Sequence, residues 1–231
     1  DLHTAYRRQR QMCIRDSLAT APYARIDSAA DLAAAMAGHD RAILKTRRLG
    51  YDGKGQLRLA TGDDMAAAWA RVNAPSVLEG FVDFSAEISV IVARGTDGAV
   101  AAFDPGLNLH EGGILRRTTV PCGLPARLVQ DAVLIASRIV SALDYVGVMG
   151  VELFVTPAGL VVNEIAPRVH NSGHWTQAGC AVDQFEQHVR AVAGLPLGDG
   201  RRHADVVMEN LIGADTVSYT HLRAHETGRN L

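Results

Sequence analysis

The sequence predicts an α+β fold in which short helices alternate with β-hairpins. Runs of apolar residues with the length and composition of strands recur along the chain, separated by short turns. Helical periodicity is confined to a few segments, of which 124–143 is the longest. No internal repeat or low-complexity linker interrupts this pattern.

The first predicted helix covers residues 27–37, with Asp27 or Ser28 as its cap and Gly38 as its end. The predicted elements that follow are strands at 41–49 and 56–59, a helix at 63–72, strands at 76–82, 87–93 and 114–120, a helix at 124–143, a hairpin at 146–164, a helix at 183–193 and a strand at 205–212. Most of the acidic residues that interrupt apolar runs lie on the strands.

The turn of the hairpin at 146–164 predicts how its two arms pair. Residues 157–159 read Pro-Ala-Gly, which fits a type I turn followed by a left-handed glycine in a three-residue loop. This loop pairs Thr156 with Leu160.

The same register pairs Glu152 with Glu164 on one face of the hairpin, with Cβ atoms roughly 4.5–5.5 Å apart. Two carboxylates that close repel each other unless a cation or a shared proton lies between them. Mg²⁺, held by the two carboxylates and substrate phosphates, is the expected cation for oxygen ligands. A shared proton or a slipped register is the alternative.

A loop with three glycines in six residues, Gly50, Gly53 and Gly55, joins the strands at 41–49 and 56–59. Its amides can approach a phosphate closely. The loop lacks the Gly-Lys-Ser/Thr ending of a P-loop and precedes no helix, so it is a weak signal by itself.

Three charged side chains in apolar strands are further candidate ligands. Lys45 is predicted to be buried and to need an anion, although a surface lysine on an edge strand is the alternative. Glu79 and Glu87 can accept hydrogen bonds from ribose hydroxyls or an adenine amino group. Either could equally be a rim residue paired with an arginine.

Composition narrows the class of protein. The chain has 231 residues, 48% of them hydrophobic, which is enough for a globular core, and its net charge of −2 favours neither nucleic acid nor an anionic membrane. No apolar stretch is long enough to predict a membrane-spanning helix. Three scattered cysteines predict neither a disulfide framework nor a zinc site, so we expect a reducing cytoplasm.

Both ends differ from the rest of the sequence. Residues 5–17 and 217–227 resemble translated sequencing adapters, and we expect 1–17 and 216–231 to be foreign to the natural chain. A basic nucleic-acid-binding arm is the alternative for the first segment, which contains four arginines.

From residue 18 to residue 215 the chain resembles the 5-(carboxyamino)imidazole ribonucleotide synthase family of the ATP-grasp superfamily. The motifs that carry the resemblance are LKT at 44–46, GYDGKGQ at 50–56, NLHEGGILR at 108–116, YVGVMGVELFVTPAGL at 145–160 and NEIAPRVHNSGHWTQ at 163–177. The resemblance implies two α+β subdomains that clasp ATP, a small one at 18–82 and a large one at 83–215.

The resemblance also implies roles for individual residues. The residues implied for ATP are Lys45, Gly50, Tyr51, Asp52, Gly53, Lys54, Gly55 and Gln56 at the phosphates, Glu79, Gly80, Phe81 and Val82 at the adenine, Glu87 at the ribose, and His110, Asn163 and Glu164 completing the nucleotide site. Glu152 and Glu164 would bind Mg²⁺. The residues implied for the second substrate, aminoimidazole ribonucleotide, are Tyr51, Asp52, Arg168 and His170, and those implied for catalysis are Lys45 and Arg168.

The reaction implied by the resemblance is ATP-driven carboxylation of aminoimidazole ribonucleotide by bicarbonate, through carboxyphosphate. Members of this family also have an N-terminal Rossmann-like domain and a small C-terminal subdomain, and are expected to be homodimers. We expect both of these parts to be absent here and the chain alone to be inactive. Another ATP-grasp carboxylase or ligase and a non-catalytic fragment that binds Mg-ATP are alternatives.

A zinc hydrolase is a further alternative, since His170 and His174 with Glu164 have the spacing of zinc ligands on a helix. Gly173 and Pro167 oppose a helix at this position.

Overall fold

The structure, a computed structural model, describes residues 18–48 and 55–212. In this part of the chain two antiparallel sheets, each packed against helices, confirm the predicted α+β class. Among the described residues, no helix is both long enough and apolar enough to cross a membrane.

The smaller sheet contains four strands in the order β1-β4-β2-β3. Its elements are β1 (Tyr23–Ile26), α1 (Ala29–Met36), β2 (Arg41–Thr46), β3 (Gln56–Ala60), α2 (Met65–Val72) and β4 (Ser76–Gly80). Both helices contribute to a core centred on Leu32, Leu44 and Leu78, each fully buried. The Ser28 hydroxyl accepts a hydrogen bond from the amide of Asp31 and so caps α1.

The larger sheet contains seven strands, in the order β10-β9-β5-β7-β8-β11 with β6 paired to β5. These strands are β5 (Ala86–Arg94), β6 (Val100–Ala102), β7 (Gly106–Glu111), β8 (Ile114–Val120), β9 (Gly147–Thr156), β10 (Gly159–Ala166) and β11 (Val206–Glu209). The longest helix, α3 (Ala126–Ala142), packs on one face, where Ile139 meets Val90 and Val151 in the main core.

The opposite face of the larger sheet is partly covered by short elements. They are a 3₁₀ helix (Asn171–Gly173), α4 (Thr176–Gly179) and α5 (Gln184–Val192). Trp175 is buried there with Ile91, Phe103 and Val148. The rest of this face stays polar, and the candidate ligands lie on it.

The hairpin forms with a different turn from the predicted one. Thr156 pairs with Gly159 instead of Leu160, so the loop has two residues, and the predicted three-residue loop is wrong. The Thr156 hydroxyl stabilises the shorter turn, because it accepts from the amide of Ala158 at 3.2 Å and donates to the carbonyl of Gly159 at 2.8 Å.

A β-bulge between Val162 and Glu164 then shifts the register by one residue, and Glu164 pairs with Glu152 as predicted. The bulge has a physical cause. Leu160 and Val162 belong to the core on the α3 face, so unbroken alternation would turn Glu164 toward the same core. One extra residue lets the strand bury its apolar side chains and still present Glu164 on the polar face.

Several elements escaped prediction. The sequence analysis missed β1, β6, β7, the 3₁₀ helix and α4, all of which are short or polar. The predicted strands at 41–49, 76–82 and 205–212 end earlier, at Thr46, Gly80 and Glu209.

The bulge predicts unequal effects of two neighbouring truncations. Val162→Ala should lower the free energy of unfolding by about 2 kcal/mol, because Val162 is 3% exposed in the main core. Val161→Ala removes the same atoms from the opposite face and should cost less than 1 kcal/mol. Urea unfolding of both variants measures the difference, and equal losses would contradict the observed register.

Candidate functional site

The candidate site lies on the polar face of the larger sheet, across β10, β9, β5 and β7. On β9, Val151 and Leu153 face the α3 core, so Glu152 between them faces the other way. On β5, Glu87 and Ser89 alternate in the same way with buried Ile88 and Val90. Strand alternation therefore collects polar side chains on one face of an otherwise apolar sheet.

The acid pair at the centre of this face is asymmetric. Glu152 and Glu164 are cross-strand partners, but the Glu152 side chain is only 16% exposed whereas Glu164 is exposed. The pKa of Glu152 rises from 4.5 to about 7, first because the carboxyl is buried and second because the Glu164 charge repels its ionised form. The charges of His110 and Lys45 oppose this rise.

The donor set fits a magnesium ion. Asn163, the bulged residue, lies between the acids in sequence, and its Nδ2 donates to Glu152 Oε2 at 3.4 Å. Two carboxylates on one face, one of them with a pKa raised by burial and by the charge of the other, are the oxygen ligands that Mg²⁺ uses together with phosphates.

A zinc site does not fit. Within 18–48 and 55–212, no three His, Cys, Asp or Glu side chains are grouped as the protein ligands of a zinc ion would be. His170 and His174 are separated by a 3₁₀ helix, so they lack the spacing that an α-helix would give them.

Glu87 and His110 form a close pair beside the acids. His110 Nδ1 lies 2.5 Å from Glu87 Oε2, and this hydrogen bond is the main reason that the pKa of His110 is raised. Within 18–48 and 55–212, the partner that the structure gives Glu87 is a histidine and not an arginine.

Lys45 and Glu79 form a second pair, on the smaller sheet. Lys45 Nζ lies 2.8 Å from a Glu79 carboxylate oxygen, and the two side chains are 21% and 10% exposed. β2 lies inside its sheet between β4 and β3, so the edge-strand alternative for Lys45 is wrong. Because Lys45 also acts electrostatically on Glu152, the smaller sheet contributes charge to the acid pair.

Gly80, Phe81 and Val82 begin the connection from β4 to β5, which joins the two sheets. The amide of Gly80 donates to the Pro22 carbonyl, and the amide of Phe81 donates to the Arg41 carbonyl. The Arg41 guanidinium also lies 4.3 Å from the centre of the Phe81 ring. Of the residues predicted to hold adenine, Glu79 and Gly80 thus end β4, and Phe81 and Val82 lie in the segment that leads to the larger sheet.

Only the end of the glycine-rich loop belongs to the described part of the chain. Gly50, Tyr51, Asp52, Gly53 and Lys54 lie outside the described residues. Gly55 adopts φ +75° and its carbonyl accepts from the amide of Thr46, while Gln56 is the cross-strand neighbour of Lys45. The loop thus ends beside Lys45 on the neighbouring strand.

Arg168 and His170 extend the site beyond β10. Arg168 is exposed and donates to the carbonyl of Val169; among the described residues it pairs with no carboxylate. His170 Nε2 lies 3.8 Å from Glu152 Oε1. Burial, followed by the charge of Arg168, lowers the pKa of His170 to about 4, so its ring is neutral near pH 7.

The sequence analysis missed a row of buried polar side chains on the same face. The Thr118 hydroxyl donates to Asn108 Oδ1 at 2.9 Å, and both residues are buried. Within the described part of the chain, Asn108 Nδ2 and Ser89 Oγ are buried without a hydrogen-bond partner. The spacing Glu87-x-Ser89 and Asn108-x-His110 was the available signal, since alternate residues of a strand share a face.

An aromatic pair was also missed. The rings of Phe84 and Phe154 stack with centroids 4.4 Å apart and an interplanar angle of 7°. Phe154 is the cross-strand neighbour of Glu87, so the stack adjoins the polar face.

Comparison with known proteins identifies the family. A profile of the ATP-grasp domain family matches residues 11–185. The chain belongs to the ATP-grasp family. This membership confirms the fold expected from the sequence motifs.

The curated relatives of this ATP-grasp chain are longer than the chain itself. N5-carboxyaminoimidazole ribonucleotide synthase of Brucella melitensis is 53% identical over 212 residues, which cover 90% of this chain and 59% of the relative. The protein of the same name from Escherichia coli is 44% identical over 182 residues, covering 79% of this chain and 51% of the relative. The chain thus spans a little over half of each relative.

Solved structures of the same enzyme class resemble the ATP-grasp chain closely. An N5-carboxyaminoimidazole ribonucleotide synthetase in complex with ADP has a TM-score of 0.89 and 36% identity, covering 95% of this chain and 59% of that one. The Aspergillus clavatus synthase in complex with ADP and 5-aminoimidazole ribonucleotide has a TM-score of 0.82 and 29% identity, covering 95% of this chain and 58% of that one. The resemblance inferred from the sequence motifs is confirmed.

The raised pKa of Glu152 predicts a pH-dependent stability. A carboxyl with a folded pKa near 7 and an unfolded pKa of 4.5 binds its proton more tightly when folded, so its contribution is complete below pH 4.5 and is lost as the pH rises to 7. Glu152→Gln should remove this loss. Relative to wild type, the variant should gain up to about 3 kcal/mol between pH 4.5 and 8, at 1.36 kcal/mol per pKa unit.

Urea unfolding at several pH values, without Mg²⁺ or nucleotide, measures this gain as a difference between the two proteins. The difference removes contributions shared by both, such as that of His170, whose lowered pKa acts in the opposite direction. Glu209→Gln is the control, because Glu209 is 54% exposed in an ion pair with Arg117. A difference that does not change with pH would contradict the burial of the carboxyl at position 152.

Proposed function

We propose that this chain is the ATP-grasp part of an N5-carboxyaminoimidazole ribonucleotide synthase, a ligase of purine biosynthesis. The observation that carries the proposal is the pairing of Glu152 with Glu164 across a bulged hairpin, beside His170 and Arg168. The relatives bearing this enzyme name, at 53% and 44% identity, support the choice of reaction. Another ATP-grasp carboxylase or ligase remains the alternative.

We propose that residues 18–82 form a small lid subdomain and 83–215 a large one, with ATP between them. Lys45 and the loop at 50–56 would hold the phosphates, and Glu79 to Val82 would contact the adenine. Glu87, which His110 orients through its 2.5 Å contact, would accept from the ribose. The ADP and ATP complexes of similar synthases support a nucleotide at this site.

Glu152 and Glu164 would hold Mg²⁺ together with the phosphate oxygens, and Asn163, which donates to Glu152, would complete the nucleotide site. Bound Mg²⁺ would neutralise charge on the transferring phosphoryl group. The chain contributes by presenting both carboxylates on one face and by raising the pKa of Glu152 to about 7, so that a cation can bind between them. Binding a cation there would release the proton that Glu152 retains in its absence.

The reaction proposed for the complete enzyme has two steps. A bicarbonate oxygen attacks the γ-phosphorus of ATP, the bond to the β-phosphate oxygen breaks, and carboxyphosphate and ADP form. The exocyclic amine of aminoimidazole ribonucleotide then attacks the carboxyl carbon, inorganic phosphate leaves, and the amine loses a proton. Arg168 would hold the phosphate of the ribonucleotide through paired N–H donors, and the neutral His170 would face the reacting groups.

The assignment of the acid pair predicts the effect of Glu164→Gln on nucleotide binding. The variant keeps the side-chain shape but loses a ligand charge, so the affinity for Mg-ATP should fall by roughly tenfold or more, equivalent to about 1.4 kcal/mol or more. Isothermal titration calorimetry measures the affinity. The control, Glu186→Gln, alters an exposed glutamate paired with Arg190 on α5 and should leave it unchanged. Unaltered affinity in Glu164→Gln would remove Glu164 from the metal site.

The assignment of Arg168 predicts a selective loss. Arg168→Met should weaken binding of aminoimidazole ribonucleotide by roughly 10- to 100-fold, the value of a charge-assisted hydrogen-bond pair, while Mg-ATP binding changes little. Arg190→Met is the matched control, since Arg190 pairs with Glu186 away from the site. Equal losses for both ligands would assign Arg168 to the nucleotide. An affinity for Mg-ATP without any for aminoimidazole ribonucleotide would favour another ATP-grasp ligase.

A further inference from the structure

His170 forms hydrogen bonds through both its backbone and its ring. The side-chain amide of Gln184, the first residue of α5, forms two hydrogen bonds with the backbone of His170. The amide of His170 donates to Gln184 Oε1 at 2.9 Å, and Gln184 Nε2 donates to the His170 carbonyl at 2.8 Å. Gln184 is fully buried. A backbone N–H must donate and a carbonyl must accept, so this pair also fixes which way the glutamine amide points.

Gln184 is in turn fixed by its own surroundings. Its backbone amide donates to the Thr176 hydroxyl at 3.0 Å, and that hydroxyl donates to the Gly173 carbonyl at 2.7 Å. A Cβ on Gly173 would lie 2.5 Å from Gln184 Oε1, so the glycine makes room for the amide. All three residues are buried, and their hydrogen bonds leave the Gln184 side chain with one orientation.

The ring of His170 is set by Ser172. The Ser172 hydroxyl lies 2.8 Å from His170 Nδ1, and the Ser172 amide donates to the same nitrogen at 3.4 Å, capping the 3₁₀ helix. A backbone N–H can donate only to a ring nitrogen without a proton. Nδ1 is therefore the acceptor, and the ring proton is on Nε2.

Nε2–H points into the candidate site. The His170 side chain packs directly over Gly150 on β9, where a Cβ would lie 2.7 Å from His170 Cβ. Gly150 and Glu152 share one face of β9, and Nε2 lies 3.8 Å from Glu152 Oε1. That distance is too long for a hydrogen bond to the carboxylate, so the Nε2 proton is available to an acceptor atom of a ligand.

We propose that Gln184 and Ser172 are positioning residues for His170. Gln184 fixes the backbone from which the ring projects, and Ser172 fixes the tautomer that presents Nε2–H next to Glu152. The acceptor would be an oxygen of the second substrate or of its carboxylating partner, an assignment that rests on the proposed function. The ring tautomer itself does not depend on that function.

The chain offers a matched control for each residue. Gln187, also on α5 and fully buried, forms the same pair of hydrogen bonds with the backbone of Gly198. Gln187 Nε2 donates to the Gly198 carbonyl at 2.9 Å, and the Gly198 amide donates to Gln187 Oε1 at 2.8 Å. Ser137 on α3 donates to the Val133 carbonyl on the other side of the sheet. Gln187→Met and Ser137→Ala therefore reproduce the chemical loss without touching His170.

The test uses ¹⁵N chemical shifts of the histidine rings in the labelled chain near pH 7. The His170 signals are assigned as those that disappear in His170→Gln among the nine histidines. Wild type should show Nε2–H with unprotonated Nδ1. Ser172→Ala removes the 2.8 Å hydroxyl contact and leaves only the longer 3.4 Å amide contact to Nδ1. This variant and Gln184→Met should populate the Nδ1–H form or broaden the signals, whereas both controls should match wild type.

Binding of aminoimidazole ribonucleotide provides the second measurement. Ser172→Ala and Gln184→Met should raise its Kd by roughly 10- to 100-fold, as residues that orient a ligand-binding histidine do, with the Kd for Mg-ATP changed less than about twofold. The controls should change neither Kd. A merely structural role would give Gln184→Met and Gln187→Met the same effect.

Two outcomes would overturn the proposal: a wild-type His170 with its proton on Nδ1, or variants that leave the ring signals and the Kd unchanged. If Gln184→Met fails to fold, Ser172→Ala and the wild-type spectrum still decide the tautomer. Failure of the wild-type chain to bind aminoimidazole ribonucleotide, with the Nε2–H tautomer present, would overturn the proposed function and leave the positioning of His170 standing.

Discussion

Repulsion between Glu152 and Glu164 is the constraint around which the site is organised. Burial and the neighbouring charge raise the pKa of Glu152 to about 7, so the folded chain holds a carboxyl that is ready to ionise when positive charge arrives. Lys45 on the smaller sheet and His110 on the larger sheet supply part of that charge. This arrangement leaves a deficit of positive charge that Mg²⁺ would fill.

The bulge at Asn163 reconciles this site with the core. A regular β10 could not both bury Leu160 and Val162 and place Glu164 on the same face as Glu152, because side chains alternate strictly along a strand. The extra residue makes both possible, and its own side-chain amide donates to Glu152. One irregularity therefore serves both the stability of the hairpin and the geometry of the acids.

Much of the fold could be predicted from local patterns. The acid pair, the main helices and the α+β class follow from periodicity and turn chemistry, and the motifs around Lys45 and Glu164 indicated the family. The predicted turn register was wrong, yet the predicted pairing of the two acids was right, because two deviations cancel. Thr156 closes a loop that is shorter by one residue, and the bulge restores the pairing of Glu164 with Glu152. The sequence analysis missed β7 because the strand is polar: Asn108 and His110 interrupt its apolar residues, so no apolar run indicates a strand.

The positioning residues could not have been found in this way, and α5 shows why. Gln184 and Gln187 are about one helical turn apart, equally buried and chemically identical. Gln184 nevertheless forms hydrogen bonds with the backbone of His170, whereas Gln187 forms them with the backbone of Gly198. Nothing in the helix distinguishes them, because the distinction lies in which backbone the tertiary fold brings to each amide. Local sequence patterns identify side chains that can bind a ligand. The residues that orient those side chains are defined only by contacts between segments that are distant in sequence.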